Sequence, residues 1–269
     1  MVTSAIILRR VNYAEYDYIL DLLTRDHGKV TVIAKNAKKS KKRFAGVLEL
    51  FSCLEVLLAV SRRGQGGMPL LKEAVLTHPF ADIRTDVEKV AYASYWSEMI
   101  NRWVVAGGRQ EGLFDLFFHA LTMLNAEQAP METTSLLFQM RFMSLAGMPP
   151  ELTACRVCRR PLADLPGPRL LFDVAMGGLL CRECRPKAGP ALPVEISKSA
   201  VKQLLWLREG DLRKAGRIQL TAAAKQEGLA MMELFVPFHL ATEIKSLKVL
   251  RGLREWRRKD YARKSEAAS

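Results

Sequence analysis

The first 80 residues carry short apolar runs separated by turn signals, which is the pattern of a β-rich segment. Gly28 follows Arg25-Asp-His and can supply the positive φ that a hairpin turn requires. Five strands with short turns in so little chain predict a small closed barrel of the OB type, with an open meander as the alternative. The predicted strands cover residues 5–10, 18–24, 30–35, 53–60 and 72–76.

Beyond residue 80 the apolar positions recur at threes and fours, which is the spacing of one helix face. Asp82 is predicted to cap the first helix. The pattern predicts an α+β protein with an OB-fold barrel over 1–80 and an all-helical domain over 81–264. An insertion over 151–190 interrupts the helical domain, and a disordered tail is expected over 265–269. Helices are expected over 82–105, 113–124, from 133 or 134 to 146, after Ser197 or Ser199, and over 231–264.

Four of the five cysteines form two C-x-x-C pairs inside the insertion. Two residues between thiolates allow one tight turn to direct both sulfurs at a single tetrahedral metal ion. The spacing predicts a structural zinc site, because four protein ligands leave no open position for catalytic water. A disulfide pair or redox thiols are the alternatives, and the chain lacks the secretory features that disulfides accompany. The predicted ligands are Cys155, Cys158, Cys181 and Cys184.

The overall composition, with 49% hydrophobic and 26% charged residues, is that of an ordinary globular protein. No apolar run reaches the roughly 18 residues that a membrane span needs. The N-terminus places its charges after a short apolar run, unlike a signal peptide, so a cytoplasmic protein without a membrane partner is expected. The net charge of +13 favours a polyanionic partner, most often nucleic acid, with an inert basic surface as the alternative.

Six positive charges without an acid occupy nine residues at the end of the third predicted strand. Such a segment repels itself unless it is solvated or matched by phosphates. On an OB barrel this loop would border the face that holds single strands, so contact with DNA or RNA is expected, with a solvated loop as the alternative. The candidate DNA-binding residues are Lys35, Lys38, Lys39, Lys41, Lys42 and Arg43, with Arg62 and Arg63 as an extension.

A second basic cluster begins at Lys245 in the last predicted helix. Several members are spaced by threes and fours, so they can share a face opposite Leu240, Ile244 and Leu247. Binding of nucleic acid or an acidic peptide is expected, although cations near a helix C-terminus also complement the helix dipole. The cluster contains the DNA-binding candidates Lys245, Lys248 and Arg251, followed by Arg254, Arg257, Arg258 and Lys259.

Sequence signatures of several enzyme classes are absent. The chain contains no P-loop, no H-x-E motif of zinc deaminases and no G-x-S-x-G elbow. Its four histidines are scattered without a carboxylate at a useful spacing, and Cys53 lies in an apolar strand pattern typical of a buried residue. A binding protein without catalytic activity is therefore expected.

Together these segments resemble the RecO family of bacterial DNA repair proteins. The similarity covers most of the chain in the same order, and it includes Ala34-Lys-Asn-Ala-Lys-Lys39 and Gly46-Val-Leu-Glu-Leu-Phe51. No single motif carries the resemblance, which rests on the combination. The similar segments are 5–10, 16–24, 27–29, 34–39, 46–51, 62–74, 93–95, 138–142, 147–152, the two C-x-x-C pairs with 177–179, and 246–250.

The resemblance implies an OB-fold, a helical domain with a zinc-binding insertion, and a non-enzymatic recombination mediator. Such proteins bind single- and double-stranded DNA, anneal complementary strands, and act with RecR to load RecA onto SSB-coated DNA. The family's basic loop corresponds to Lys35, Lys38 and Lys39 here. Some members lack the zinc cysteines, which implies that the metal is not the source of activity.

Members of the family also contact the acidic, apolar C-terminal tail of SSB through their helical domain, for which Arg141 and the late helix are candidates here. This role implies a cytoplasmic, nucleoid-associated protein. The residues alone remain compatible with a zinc-ribbon/OB transcription or RNA-binding factor and with an enzyme whose site is unrecognised. Annealing of complementary strands without nucleotide would separate the mediator from both.

Overall fold

The computed structural model describes residues 1–59, 67–105, 107–187, 193–212, 214 and 219–267. Its contacts divide the chain into two compact units, one formed by Met1–Asn125 with Ile244–Ser269 and the other by Ala126–Glu243. The helices that follow the barrel are therefore shared between two units, whereas the sequence pattern predicts one helical domain over 81–264. Among the described residues, no helix has the length and apolar content needed to cross a membrane.

Five strands of the first unit close into a barrel in the order β1-β2-β3-β5-β4, with β4 pairing back onto β1. All neighbouring pairs are antiparallel except β3 and β5, which meet in parallel at Ile33 and Leu70. This closed five-stranded arrangement confirms the predicted OB fold. The strands are β1 (Val2–Tyr13), β2 (Asp17–Thr24), β3 (Gly28–Ala34), β4 (Cys53–Ala59) and β5 (Leu70–His78).

The barrel encloses a core of aliphatic side chains that alternate along the strands, such as Leu20 with Leu22 and Leu54 with Val56. The segment between β3 and β4 adds Phe44 and Leu48 to the same core, so it covers one opening of the barrel. Gly28 has a φ of +64°, and a Cβ there would lie 2.6 Å from a backbone oxygen. Only glycine fits this turn at low energy.

Four helices complete the first unit. Asp82, the predicted cap, lies in the first turn of a short helix, and Asp86 caps the next helix by accepting from the backbone N–H groups of Glu88 and Lys89. Leu247 and Leu250 of the last helix, with Ile244 just before it, are buried, and this helix packs against the second helix. The helices are α1 (Ala81–Arg84), α2 (Val87–Trp103), α3 (Glu111–Asn125) and α7 (Lys245–Ala267).

The second unit combines three helices with a small sheet in the order β6-β8-β7-β9. The sheet extends past the predicted insertion, because β9 runs to Ser197, and the helices resume at Lys198. Ser197 caps that helix by accepting from the backbone N–H of Ala200, as the sequence predicts. The elements are α4 (Met131–Leu145), β6 (Glu151–Cys155), β7 (Arg169–Asp173), β8 (Gly178–Leu180), β9 (Pro193–Ser197), α5 (Lys198–Glu209) and α6 (Ala222–His239).

The single helix predicted over 231–264 is wrong. The helical pattern is divided between α6 and α7, with a turn in which Ala241 adopts a φ of 48° and its N–H bonds to the carbonyl of Phe238. The apolar spacing continues on both sides of this turn, so periodicity does not reveal it. Within the predicted tail of 265–269, α7 continues as far as Ala267, and residues 268–269 lie outside the described residues.

Candidate metal centre and nucleic-acid surface

The four predicted ligand sulfurs converge in the second unit, all within 4.8 Å of one another. The Sγ atoms of Cys158 and Cys181 are 3.7 Å apart. A tetrahedral zinc site with Zn–S bonds of about 2.3 Å places neighbouring sulfurs about 3.8 Å apart, whereas a disulfide requires about 2.05 Å. The cluster therefore fits a metal ion better than a disulfide.

Two tight turns present these sulfurs. In the first, the N–H of Arg159 bonds to the carbonyl of Cys155, and Arg159 itself has a φ of 62°. In the second, the N–H groups of Cys184 and Arg185 both bond to the carbonyl of Cys181. Strands β6 and β8 pair in parallel and bring the two turns together. Cys158 is exposed, and the other three ligands are buried.

The surroundings of the cluster shift the pKa values of two ligand thiols in opposite directions. Burial alone would raise the pKa of the Cys155 thiol, but hydrogen bonds from the backbone N–H groups of Cys158, Cys181 and Val157 lower it to about 6. The pKa of Cys184 is raised to about 12, chiefly by hydrogen bonding with the Cys181 sulfur and secondly by burial. A bound cation would replace these protons, since thiolates are the form that ligates metals.

The basic loop of residues 35–43 is held on the barrel by its apolar members. Ala37 is buried in the short 3₁₀-helix Ala37–Lys39, and the loop ends at buried Phe44. The hydroxyl of Ser40 accepts from the backbone N–H groups of Arg43 and Phe44, at 3.1 and 3.2 Å. The six cationic side chains are all exposed, and within the described residues none lies within 4.0 Å of a carboxylate oxygen.

Two tyrosines of the β1–β2 hairpin, Tyr16 in the turn and Tyr18 in β2, lie directly beside this loop. Lys39 Nζ is 3.3 Å from the centroid of the Tyr16 ring, and Lys38 Nζ is 5.6 Å from that of Tyr18. Arg10 contacts the Tyr18 ring at 5.1 Å. The loop and this turn form one surface of cations and aromatic rings, which we call the loop–hairpin surface. Sequence reasoning did not identify these tyrosines as site residues, although Tyr16 lies between the first two predicted strands and Tyr18 begins the second.

The late-helix candidates divide into two groups. Lys245 and Lys248 are exposed, whereas Arg251 is half-buried. Arg254 is buried, and Arg257 is paired with Glu88 of α2, so part of this cluster serves to attach α7. The predicted extension at Arg62 and Arg63 lies outside the described residues.

Arg141, a predicted partner-binding residue, is engaged within the second unit. Its guanidinium donates to the carbonyls of Leu207 and Gly210 at the C-terminal end of α5. Burial lowers the pKa of Arg141, although the nearby Asp211 carboxylate acts in the opposite direction. These contacts complement the negative end of a helix dipole, which gives Arg141 a structural role.

A cavity of about 690 Å³ opens in the second unit beside the turn before β8. Met148 and Phe235 supply apolar walls, and Arg156 and Arg208 supply positive charge, while Glu151 also lines the cavity. Arg208 is only 16% exposed and donates to the carbonyl of Pro150, so its position is fixed. This volume is in the range of small-ligand and peptide-end pockets. Sequence reasoning did not identify the cavity, because its walls come from four separated segments.

Comparison with known proteins agrees with the geometry. A family model described as Recombination protein O N terminal matches residues 1–80, and one described as Recombination protein O C terminal matches residues 84–248. A DNA repair protein RecO of Desulfosudis oleivorans is 53% identical over 94% of this chain and 98% of its own length. RecO proteins of Desulfatibacillum aliphaticivorans and Syntrophus aciditrophicus are 42% and 33% identical, each over more than 90% of both chains.

These matches span the OB barrel, the helices and the sheet β6–β9 with its four clustered cysteines, which we call the cysteine module. The resemblance predicted from the sequence is thereby confirmed, and a role in DNA repair follows from it. The chain belongs to the RecO family of DNA repair proteins.

Proposed function

We propose that this chain is a recombination mediator that binds single- and double-stranded DNA and anneals complementary strands. With RecR, it would promote the loading of RecA onto SSB-coated single strands. The observation that carries the proposal is the loop–hairpin surface, where exposed cations lie beside aromatic rings. Cations contact phosphates, and tyrosine rings offer stacking surfaces to unpaired bases, so one surface can accept both kinds of DNA.

The proposed binding is electrostatic and tolerant of sequence. Six exposed cations near one barrel opening create a positive potential that attracts the DNA backbone. The two exposed lysines of α7, Lys245 and Lys248, contribute further positive charge. Contacts of this type recognise phosphates rather than base edges. Family membership in DNA repair supports this mediator over the transcription or RNA-binding alternative.

The proposed cofactor is a structural Zn²⁺ held by Cys155, Cys158, Cys181 and Cys184. Four thiolate ligands complete a tetrahedral shell, which suits zinc and leaves no position for a substrate. In this proposal the metal stabilises the small sheet of the second unit, and the chemistry of DNA pairing needs no catalytic metal.

The cavity of the second unit is the proposed docking position for the SSB tail. That tail has an acidic segment and an apolar end, so it would place carboxylates near Arg156 and Arg208 and its end against Phe235. Docking there would tether SSB-coated DNA to the protein and raise its effective concentration.

An annealing assay tests the proposal without nucleotide or added divalent metal. Two complementary labelled strands are mixed bare, coated with SSB, or coated with SSB lacking its C-terminal tail. We expect annealing of bare strands and of strands coated with full-length SSB, and loss of annealing only with tail-less SSB. Equal annealing with both SSB forms would contradict tail docking. Failure with bare strands would contradict the annealing function itself.

A further inference from the structure

The outer face of α7 carries a continuous stripe of exposed residues that the family role does not explain. Its members follow one another at alternating spacings of four and three, so they lie along one side of the helix. Trp256, at 66% exposed, and Val249, at 60%, are the large apolar members. We call this the α7 stripe, and it consists of Lys245, Val249, Gly252, Trp256, Lys259 and Arg263, all exposed.

The opposite face of α7 is fixed, which determines where the stripe points. Ile244, Leu247 and Leu250 are buried, and α7 packs against α2. The carboxylate of Glu98 accepts from the backbone N–H groups of Lys245 and Ser246, so it caps the helix. The stripe therefore faces away from α2 and towards solvent.

The composition of the stripe selects its partner. The spacing matches the seam of a coiled coil, but lysine, glycine and arginine occupy positions that a seam fills with apolar residues. A second copy of the chain would bring like charges together. An anionic membrane surface would require more apolar anchors than one tryptophan and one valine. Lysines around an exposed indole instead match a single-stranded polyanion that has stackable bases.

We propose that the α7 stripe is a second single-strand site, in which Trp256 stacks on a base and Lys245 and Lys259 of the stripe, with the exposed Lys248 beside it, contact phosphates. Gly252 lies one turn before Trp256, and a Cβ there would meet nothing within 4 Å, so there is room beside the indole. The inference rests on the proposed annealing function. Annealing requires two strands to be held at once, and the loop–hairpin surface accounts for one of them.

The test uses the full-length protein with Trp256→Leu, Trp256→Phe and a matched control, Trp206→Leu. Trp206 is 59% exposed on α5, outside the stripe. Oligothymidylate should quench tryptophan fluorescence of the wild type, and most of that quenching should disappear in Trp256→Leu but not in Trp206→Leu. The annealing rate should fall on the order of tenfold in Trp256→Leu, as expected for loss of one stacked base, and should largely recover in Trp256→Phe. Binding of blunt duplex DNA should be unchanged, since its bases are not available for stacking.

Three results would overturn the proposal. Quenching and annealing could be intact in Trp256→Leu. Binding of duplex and single strands could fall equally, which would indicate a structural role. Vesicles of anionic phospholipid could quench Trp256 while the oligonucleotide does not, which would assign the stripe to membranes. The variant with Lys35, Lys38 and Lys39 changed to Gln separates this inference from the proposed function, because intact single-strand binding there would remove the support for the loop–hairpin surface, independently of α7.

Discussion

The barrel and the cysteine module achieve a folded state by different means. The barrel closes long strands, one of 12 residues, around an aliphatic core. The cysteine module has strands of three to five residues and brings four sulfurs together at one end of its sheet. A core built from many side chains tolerates loss of surface charge, whereas a short sheet organised around one ion depends on that ion. Under the proposed function, the surface charges of the barrel can therefore be removed without unfolding, whereas removal of the proposed metal ion would unfold the cysteine module.

The largest effect is expected from breaking the metal centre. Cys155→Ser should abolish stoichiometric metal binding and unfold the cysteine module first, because metal-binding free energy on the order of 10 kcal/mol is coupled to folding in such sites. DNA binding by the loop–hairpin surface should persist. Metal analysis, thermal unfolding and a DNA-binding titration on the same preparation measure all three.

The matched control for that variant is Cys53→Ser, which alters a buried cysteine of β4 outside the cluster. It should retain about one equivalent of zinc. If freshly purified wild-type protein contained less than about half an equivalent and all four cluster thiols were reactive, the structural-metal assignment would be wrong.

A core truncation in each region sharpens the comparison. Phe44→Ala should destabilise the barrel by about 3 to 5 kcal/mol and loosen the basic loop, because Phe44 is 3% exposed and ends that loop. Phe172→Ala removes a fully buried ring from the cysteine module and should weaken metal retention instead. Segment-resolved hydrogen exchange should show faster exchange in the barrel of Phe44→Ala and in the cysteine module of Phe172→Ala. A metal-affinity measurement should show weaker binding only in Phe172→Ala. A loss of metal in Phe44→Ala would contradict the separate stabilisation of the two regions.

Removing surface charge should affect binding but not folding. Changing Lys35, Lys38 and Lys39 to Gln should weaken binding to all DNA sequences on the order of tenfold. On single strands, the slope of the logarithm of the binding constant against the logarithm of the salt concentration should become shallower by roughly 0.7 for each phosphate contact that is lost. The control variant removes three exposed lysines elsewhere, Lys72, Lys202 and Lys214, and has the same net charge. If the salt dependence of DNA binding were equal in the two variants, the loop would not contact DNA, and α7 would be the main binding site.

The smallest effect concerns the attachment of α7. Burial acts to raise the pKa of Glu98, but hydrogen bonds from Ser246 and Lys245 and the Arg102 charge outweigh it, so the pKa is below the ordinary 4.5. This contribution to stability is complete above that value and is lost as pH falls through the lower folded pKa. Glu98→Gln should lower the free energy of unfolding by about 1 kcal/mol at neutral pH. The free energy of unfolding of this variant should also depend less on pH below the ordinary pKa of Glu98. Glu55→Gln, on the exposed side of β4, should leave that pH dependence unchanged.

Local patterns account for the predictions that hold. Short apolar runs between turn residues predict the five barrel strands, because each strand buries side chains in the barrel core. Ser197 is recognisable as a cap because its hydroxyl accepts from a backbone N–H three residues away. The two C-x-x-C pairs predict a shared metal site because each pair is one turn, although only β6 and β8 show how the turns meet. The basic loop is evident from its charge alone.

Contacts between distant residues decide the rest. The turn between α6 and α7 follows from capping by Glu98, which lies on α2, far away in sequence. The same packing removes Arg254 and Arg257 from the basic cluster and exposes Trp256. The sequence by itself determined the strands of the barrel, the two cysteine pairs and the sign of the surface charge, because each is encoded in neighbouring residues, whereas closure of the barrel depends on the distant pairings of β1 with β4 and β3 with β5. Only the tertiary structure decided which tyrosines accompany Lys38 and Lys39, which late cations are free to bind and how the helices divide, because those outcomes depend on long-range packing.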